Sequence, residues 1–124
     1  MSNHEFIKTF DASGAIVAYS IVKATATDFA VAQATAATDK VLGVTTEIDA
    51  ADTERVDVVI SGTAFVKAGG TIAAGDPITA NASGYAVTAA PAAGSNNRII
   101  GFARQSAVSG DVFEVILSLG VIQG

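Results

Sequence analysis

The sequence predicts an all-β fold: a small β-barrel, β-tulip-like or sandwich domain with an internal pseudo-twofold repeat and an extended N-terminal arm. Apolar and polar residues alternate with a period of two, and turn-forming residues separate the alternating segments at intervals of about 8–12 residues. In addition, the 124-residue sequence contains an internal repeat that covers much of its length. We expect one β domain over residues 12–124, built from two repeats, and an arm at residues 1–11.

The internal repeat begins with a gapless alignment of residues 12–31 on residues 68–87. After a two-residue insertion, residues 39–44 align with residues 97–102, and residues 55–61 then align with residues 112–118. The two copies pair glycine with glycine and basic residue with basic residue, as in Gly43 with Gly101 and Lys40 with Arg98. Both halves therefore follow the same order of turns and strands, with repeats at residues 12–62 and 68–120.

Alternation identifies the individual strands. Residues 55–61 place Val56, Val58 and Ile60 on one predicted face. The aligned strand is predicted to place four apolar residues on the face opposite Glu114: Phe113, Val115, Leu117 and Leu119. Residues 29–40 are alanine-rich, but their repeat partner contains Pro91 and Gly94, so we predict a strand followed by a loop, with room for one helical turn.

The composition excludes several classes of function. The net charge is −5 and the seven Lys and Arg residues are scattered, so we expect no nucleic-acid partner, because phosphate binding needs clustered basic residues. The absence of cysteine excludes disulfides, thiolate metal sites and cysteine nucleophiles. No apolar run approaches the roughly 20 residues of a membrane helix and the N-terminus lacks a signal-peptide pattern, so we expect no membrane partner and synthesis in the cytoplasm.

Catalytic constellations are not evident in the sequence. His4 is the only histidine, and no serine lies in a Gly-x-Ser-x-Gly elbow. The acidic cluster at residues 47–54 lacks the glycine and closing glutamate of a calcium loop, so we interpret it as a solvated hairpin tip. We therefore expect that the protein is not an enzyme and has no catalytic, cofactor-binding or metal-binding residues.

The stretch at residues 69–87, GGTIAAGDPITANASGYAV, resembles a phrase of lipoyl and biotinyl carrier domains when it is taken with Asp39-Lys40-Val41. That resemblance implies a carrier domain modified at Lys40. In the first repeat, however, Tyr19-Ser20 stands where Gly75-Asp76 stands in the second. We therefore interpret the glycines and Asp76 as turn-shaping residues, with the carrier domain as an alternative.

A second resemblance covers most of residues 14–119. Residues 41–70 resemble the central segment of lambda-like phage head decoration proteins through Gly43, Asp52, Thr53 and the run at residues 61–65, Ser-Gly-Thr-Ala-Phe. Residues 70–117 are similar to the related capsid cement proteins at a series of turn and strand positions: Gly75, Asp76, Ile78, Gly84, Val87, Ile100, Gly101, Ala103, Val115 and Leu117.

The phage resemblance implies a structural virion protein that binds the exterior of an icosahedral tailed-phage head as a homotrimer and cements the expanded capsid. Its partners would be the major capsid protein lattice and its own copies. The candidate capsid-contact residues lie in the N-terminal segment: Ser2, Asn3, His4, Glu5, Phe6, Ile7, Lys8 and Phe10. This segment could add a strand to a capsid sheet, or it could be an ordinary first strand of the barrel. A β surface or adhesion module outside phages is a further alternative.

Overall fold

The computed structural model describes residues 6–124, which form ten β-strands and no α-helix. The strands are β1 (Phe6–Ala12), β2 (Ile21–Ala24), β3 (Ala30–Gln33), β4 (Val41–Thr45), β5 (Arg55–Ser61), β6 (Thr63–Lys67), β7 (Pro77–Ala80), β8 (Ala86–Thr88), β9 (Asn96–Ala103) and β10 (Val112–Gln123). The first five strands close into a barrel in the order β1-β3-β2-β4-β5. The last five form a sheet in the order β6-β10-β9-β7-β8. The prediction of an all-β fold with a small barrel is confirmed.

The two halves have the same connectivity. In each half the second strand pairs with the third and fourth, and the fifth strand pairs with the fourth and the first. A bridge outside the strands is also duplicated, since Ile16 pairs with Ala50 and Ile72 pairs with Ala107. The first half closes because β1 pairs with β3 in parallel, whereas the second half has only a single parallel bridge at this position. The internal repeat predicted from the sequence is therefore visible in the fold.

The first strand corrects the predicted boundary of the repeat. Phe6–Asp11 pair with β5 in an antiparallel ladder, so this part of the predicted arm is the first strand of the barrel. The side chain of Phe10 packs partly against the barrel core, which holds the strand in place. The first repeat thus includes residues 6–11, and residues 1–5 lie outside the described residues.

Two clusters of buried side chains form the core. The smaller one fills the barrel with residues such as Ile16, Val22 and Val58. The larger one combines Ile21 and Val44 of the barrel with side chains of the second half: Val66, Ile72, Ile78, Ile100, Phe113 and Val115. Burial of each large apolar side chain contributes about 1.5–3 kcal/mol to folding. The larger cluster therefore joins the two halves, whereas the smaller one belongs to the barrel alone.

The last strand departs from the predicted alternation. Phe113 and Val115 are buried and Leu117 is partly buried, which agrees with the predicted shared face, but 49% of Leu119 is exposed. The reason is a register shift between Leu117 and Gly120 in the pairing of β10 with β9. An extra residue at such a bulge moves the following side chains to the other face. The prediction for Leu119 was wrong.

Candidate functional site

The first half of β1 has an open edge. On one side β5 pairs with β1 from Phe6 onward, but on the other side β3 begins only opposite Asp11. The Asp11 N–H donates to the Phe29 carbonyl on that side at 2.8 Å. Because backbone groups of alternate residues point to opposite edges, those of Ile7 and Thr9 also point there, where the described chain supplies no paired strand. Ile7 and Thr9 therefore offer an unused pairing edge.

Exposed apolar side chains surround this edge. Phe6 is 58% exposed and Ile7 is 47% exposed, while Lys8 is exposed and Phe10 is half-buried. Phe29, at the end of the turn before β3, is 70% exposed and lines a shallow hollow together with Phe10. Four of the predicted contact residues thus lie on one strand at one edge. The others, Ser2, Asn3, His4 and Glu5, lie outside the described residues.

The charged groups near the open edge are of both signs. The Thr9 Oγ1 donates to Asp57 Oδ1 at 2.8 Å, which ties β1 to β5 through side chains as well as backbone. Arg55 and Asp11 lie beside the same hollow as Phe29. The edge is therefore an amphipathic surface, with aromatic side chains flanked by single charges.

The acidic cluster lies in the predicted connection between β4 and β5, and three of its four carboxylates accept backbone N–H bonds. Asp49 accepts the Ala18 N–H at 2.7 Å, and Asp52 accepts the Gly14 N–H at 2.8 Å. Glu54 accepts an N–H within its own loop. The acidic residues are exposed, as expected of a solvated hairpin tip, and Asp49 and Asp52 additionally hold the loop against residues 14–18. Within residues 6–124, no group of three or more His, Cys, Asp or Glu side chains is arranged to hold a metal ion.

Lys40 does not lie in a hairpin between paired strands. It is exposed and immediately precedes β4, but β2 separates β3 from β4 in the barrel. Its neighbour Asp39 accepts N–H bonds from Thr35 at 2.8 Å and Ala36 at 3.1 Å and forms an ion pair with Lys23 at 3.4 Å. Burial alone would raise the pKa of Asp39, but these hydrogen bonds and the Lys23 charge outweigh it and lower the pKa. Asp39 therefore orders the loop before Lys40.

Residues of the glycine-rich stretch form a turn, as predicted. Gly75 has a positive φ of 89°. The Asp76 Oδ2 accepts the Ala73 N–H at 3.0 Å and the Thr88 Oγ1 proton at 2.9 Å. These contacts join the turn to β8, so Gly75 and Asp76 have a structural role.

The sequence did not identify a groove of about 460 Å³ between the start of β4 and the end of β10. Its lining includes Leu42, Leu119 and Val121, together with the aligned pair Lys40 and Arg98. The alignment of these two basic residues was the only signal of it in the sequence. The groove itself follows from the β10 register shift, which alternation alone does not reveal.

The outer face of the second sheet carries another apolar surface. Ile116 of β10 lies directly opposite Phe102 of β9, and both side chains are exposed. Phe65 of β6, also exposed, pairs with Glu114 two residues before Ile116. Glu114 is nearly buried and forms an ion pair with Arg104. This face therefore combines exposed apolar side chains with one compensated charge pair.

Comparisons with known proteins show that the fold is similar to that of a solved structure. It is the crystal structure of the head fiber gp8.5 N base in bacteriophage phi29, with a TM-score of 0.67 and 20% sequence identity over 92% of this chain and 94% of that chain. No family model matches the chain. No curated protein matches it either. At this identity the match establishes a shared fold over nearly the full length of both chains. In residues 6–124, no helix is long and apolar enough to span a membrane.

Proposed function

We propose that the protein is a structural component of a tailed-phage virion that binds the outside of the head as a homotrimer and stabilises the expanded capsid. The observation that carries the proposal is the nearly full-length similarity in fold to a domain described as the base of a phage head fiber. The resemblance of residues 41–70 to phage head decoration proteins supports the same role. The lambda-like family itself remains a prediction, because no family model matches.

The open edge of β1 is the proposed capsid contact. Its unused backbone groups at Ile7 and Thr9 can pair with a capsid strand, and an exposed apolar edge strand is otherwise a liability for a soluble protein. Phe6 and Phe29 flank the edge and would be covered in the complex. Backbone pairing would supply affinity, and the aromatic side chains would supply specificity.

Self-association is supported by the apolar face of Phe65, Phe102 and Ile116. Contiguous exposed apolar side chains on a small protein often mark a protein interface. In a trimer, three open β1 edges would bind adjacent capsid subunits, so each contact raises the effective concentration of the next. A ligand that binds only the expanded lattice stabilises it by mass action, by about 2.7 kcal/mol at 100 times its dissociation constant.

Binding to expanded heads that lack the protein tests the capsid contact. Ile7→Pro removes an N–H that the described fold does not use, so we expect a folded protein with much weaker co-sedimentation. Phe29→Ser should weaken binding as well, whereas Val108→Ser, at an exposed apolar position in the second half, should not. Full binding by folded Ile7→Pro and Phe29→Ser variants would contradict the assignment of the edge.

Mass measurement tests the trimer. We expect sedimentation equilibrium to give three times the 12.4 kDa chain mass, and Ile116→Lys to give monomers. A wild-type monomer at high concentration would exclude a preformed trimer. Heads saturated with the wild-type protein should release DNA at a higher temperature than bare heads, and an unchanged temperature would exclude the cementing role.

A further inference from the structure

We propose that the groove between β4 and the end of β10 binds an extended segment of a partner polypeptide, which adds as a strand to β10 and places acidic side chains beside Lys40 and Arg98. This site is separate from the open edge of β1, and the inference does not depend on the proposed capsid role. It rests on an open backbone edge, an apolar lining and a concentration of positive charge.

The backbone edge is the first observation. On the β6 side, ladder pairing of β10 ends at Ile116, followed by a bond from the Leu117 N–H to the Gly62 carbonyl. On the other side, pairing with β9 continues to Gln123, and the Gly124 N–H donates to the Ser95 carbonyl at 2.7 Å. Alternation from Gly120 onward then directs the backbone groups of Val121 and Gln123 away from β9. On that side the described residues supply no paired strand.

Apolar side chains form the walls of the groove. Leu119 is 49% exposed and Val121 is 57% exposed, and both line the groove with Leu42. Gly120, between them, has no side chain to fill the space. The volume of about 460 Å³ is sufficient for the side chains of a short extended segment, and apolar side chains on that segment would cover these exposed residues.

Charge indicates which segment fits. The chain has a net charge of −5, with only seven Lys and Arg residues, yet Lys40 and Arg98 both line this groove. Among the described residues, neither takes part in an ion pair. An extended segment in which acidic residues alternate with apolar ones matches both the cations and the walls.

A separate polypeptide is the better match than a second copy of this chain. In the acidic loop at residues 47–54, Asp49 and Asp52 accept N–H bonds from residues 18 and 14 of the same chain, and Glu54 accepts one within the loop. The acidic residue Asp57 lies within β5, which is paired on both sides. The described part of the chain therefore offers no extended acidic segment that is free to enter the groove.

Titration of the ¹⁵N-labelled full chain with a capped seven-residue peptide of alternating Val and Glu tests the site. We expect amide shifts concentrated at residues 40–42 and 119–123. The same peptide with Lys in place of Glu should bind about two- to thirtyfold more weakly, since it would lose two exposed ion pairs, at Lys40 and Arg98. A peptide with proline at alternate positions should cause no such shifts, because it cannot donate to the edge.

Protein variants locate the interaction. The double variant Lys40→Glu with Arg98→Glu should lose affinity for the Glu peptide and gain it for the Lys peptide. Lys8→Glu with Arg55→Glu gives the same change in net charge elsewhere and should leave both affinities unchanged. Val121→Pro should abolish the amide shifts. If this variant does not fold, the variant with Lys40→Glu and Arg98→Glu is sufficient to test the location of the site.

Three results would overturn the inference. They are no shifts with the Glu peptide at millimolar concentration, equal affinity for the Glu and Lys peptides, and shifts confined to β1. Concentration-dependent shifts at residues 40–42 and 119–123 without any peptide would show instead that a second copy occupies the groove.

Discussion

Tyr19 and Gly75 occupy the same turn position in the two halves, and both have positive φ, 55° and 89° respectively. Both N–H groups donate to the end of the fourth strand of their half, the Tyr19 N–H to the Thr46 carbonyl and the Gly75 N–H to the carbonyl of Ala103, which aligns with Thr45. In the first half the Tyr19 carbonyl additionally accepts the Lys67 N–H at 2.8 Å. Tertiary hydrogen bonds thus hold a tyrosine in a left-handed conformation that glycine adopts without strain.

Gly75→Ala should lower the free energy of unfolding by about 1–2 kcal/mol, the strain of one alanine in the left-handed region. A Cβ at this position meets no atom within 4 Å, so the loss would come from backbone conformation alone. Urea unfolding measures it. Gly70→Ala is the control, since its Cβ would make only an ordinary contact with Val87 at 3.8 Å. Equal stability of the two variants would contradict the strain argument.

Gly43 and Gly101 are required for a different reason. A Cβ on Gly43 would collide with the Val59 carbonyl of β5, and a Cβ on Gly101 would collide with the Ile116 carbonyl of β10. We expect Gly43→Ala and Gly101→Ala each to destabilise the fold by about 1–3 kcal/mol or more, because a neighbouring strand must shift. Thermal unfolding with Gly70→Ala as reference measures this loss. Tolerance of alanine at both sites would show that the strands can separate freely.

These glycines show what the sequence could predict. In both halves the fourth and fifth strands approach so closely that the fourth needs a glycine, at Gly43 and at Gly101. The shared glycine made this part of the repeat detectable in the sequence. The alignment placed Tyr19 on Gly75, but it did not predict that Tyr19 has a positive φ, since tyrosine seldom adopts one. Tertiary bonds, which alignment does not detect, decide that conformation.

The candidate sites were harder to predict from the sequence, because their positions depend on strand pairing and register. Phe6, Lys8 and Phe10 alternate in the same way in a docking arm and in a barrel strand, and only the pairing with β5 distinguishes them. The groove beside Leu119 arises from a bulge, and the apolar pattern of β10 continues unchanged through it. Patterning therefore predicted the strands, whereas open edges followed from how far each neighbour extends.

Acid should remove the contribution of Asp39 to stability. Its pKa lies below the ordinary 3.8 in the folded state, so the carboxylate stabilises the fold above that pH. This contribution is lost as the pH falls through 3.8 towards the folded pKa. Asp39→Asn should therefore lower stability at pH 7, and the difference from wild type should shrink below pH 3.8.

Urea unfolding of both proteins across this range measures the effect of Asp39→Asn. Asp28→Asn is the control, because Asp28 is an exposed residue in the turn before β3. We expect the control to match wild type at every pH. A difference between Asp39→Asn and wild type that stays constant down to the lowest pH would contradict a role for the charged carboxylate.

Thr45 and Ser20 form a buried polar contact, and we expect substitution of Thr45 to destabilise the fold more than substitution of Ser20. The Thr45 Oγ1 accepts the Ser20 N–H at 3.1 Å and donates to the Val17 carbonyl at 2.9 Å, while the Ser20 Oγ donates to the same carbonyl at 2.7 Å. Thr45→Val would leave the Ser20 N–H buried without its side-chain acceptor. We expect a loss of about 1–3 kcal/mol in the free energy of unfolding.

Ser20→Ala should cost less than Thr45→Val, because the Val17 carbonyl keeps the Thr45 hydroxyl as donor and no buried N–H loses its acceptor. Urea unfolding of the two single variants and the double variant tests this order. In the double variant the Val17 carbonyl loses both hydroxyl donors, so its loss should exceed the sum of the single losses. If Ser20→Ala proved the more damaging single change, the Ser20 hydroxyl would be the essential group, and the bond from the Ser20 N–H to Thr45 would contribute little.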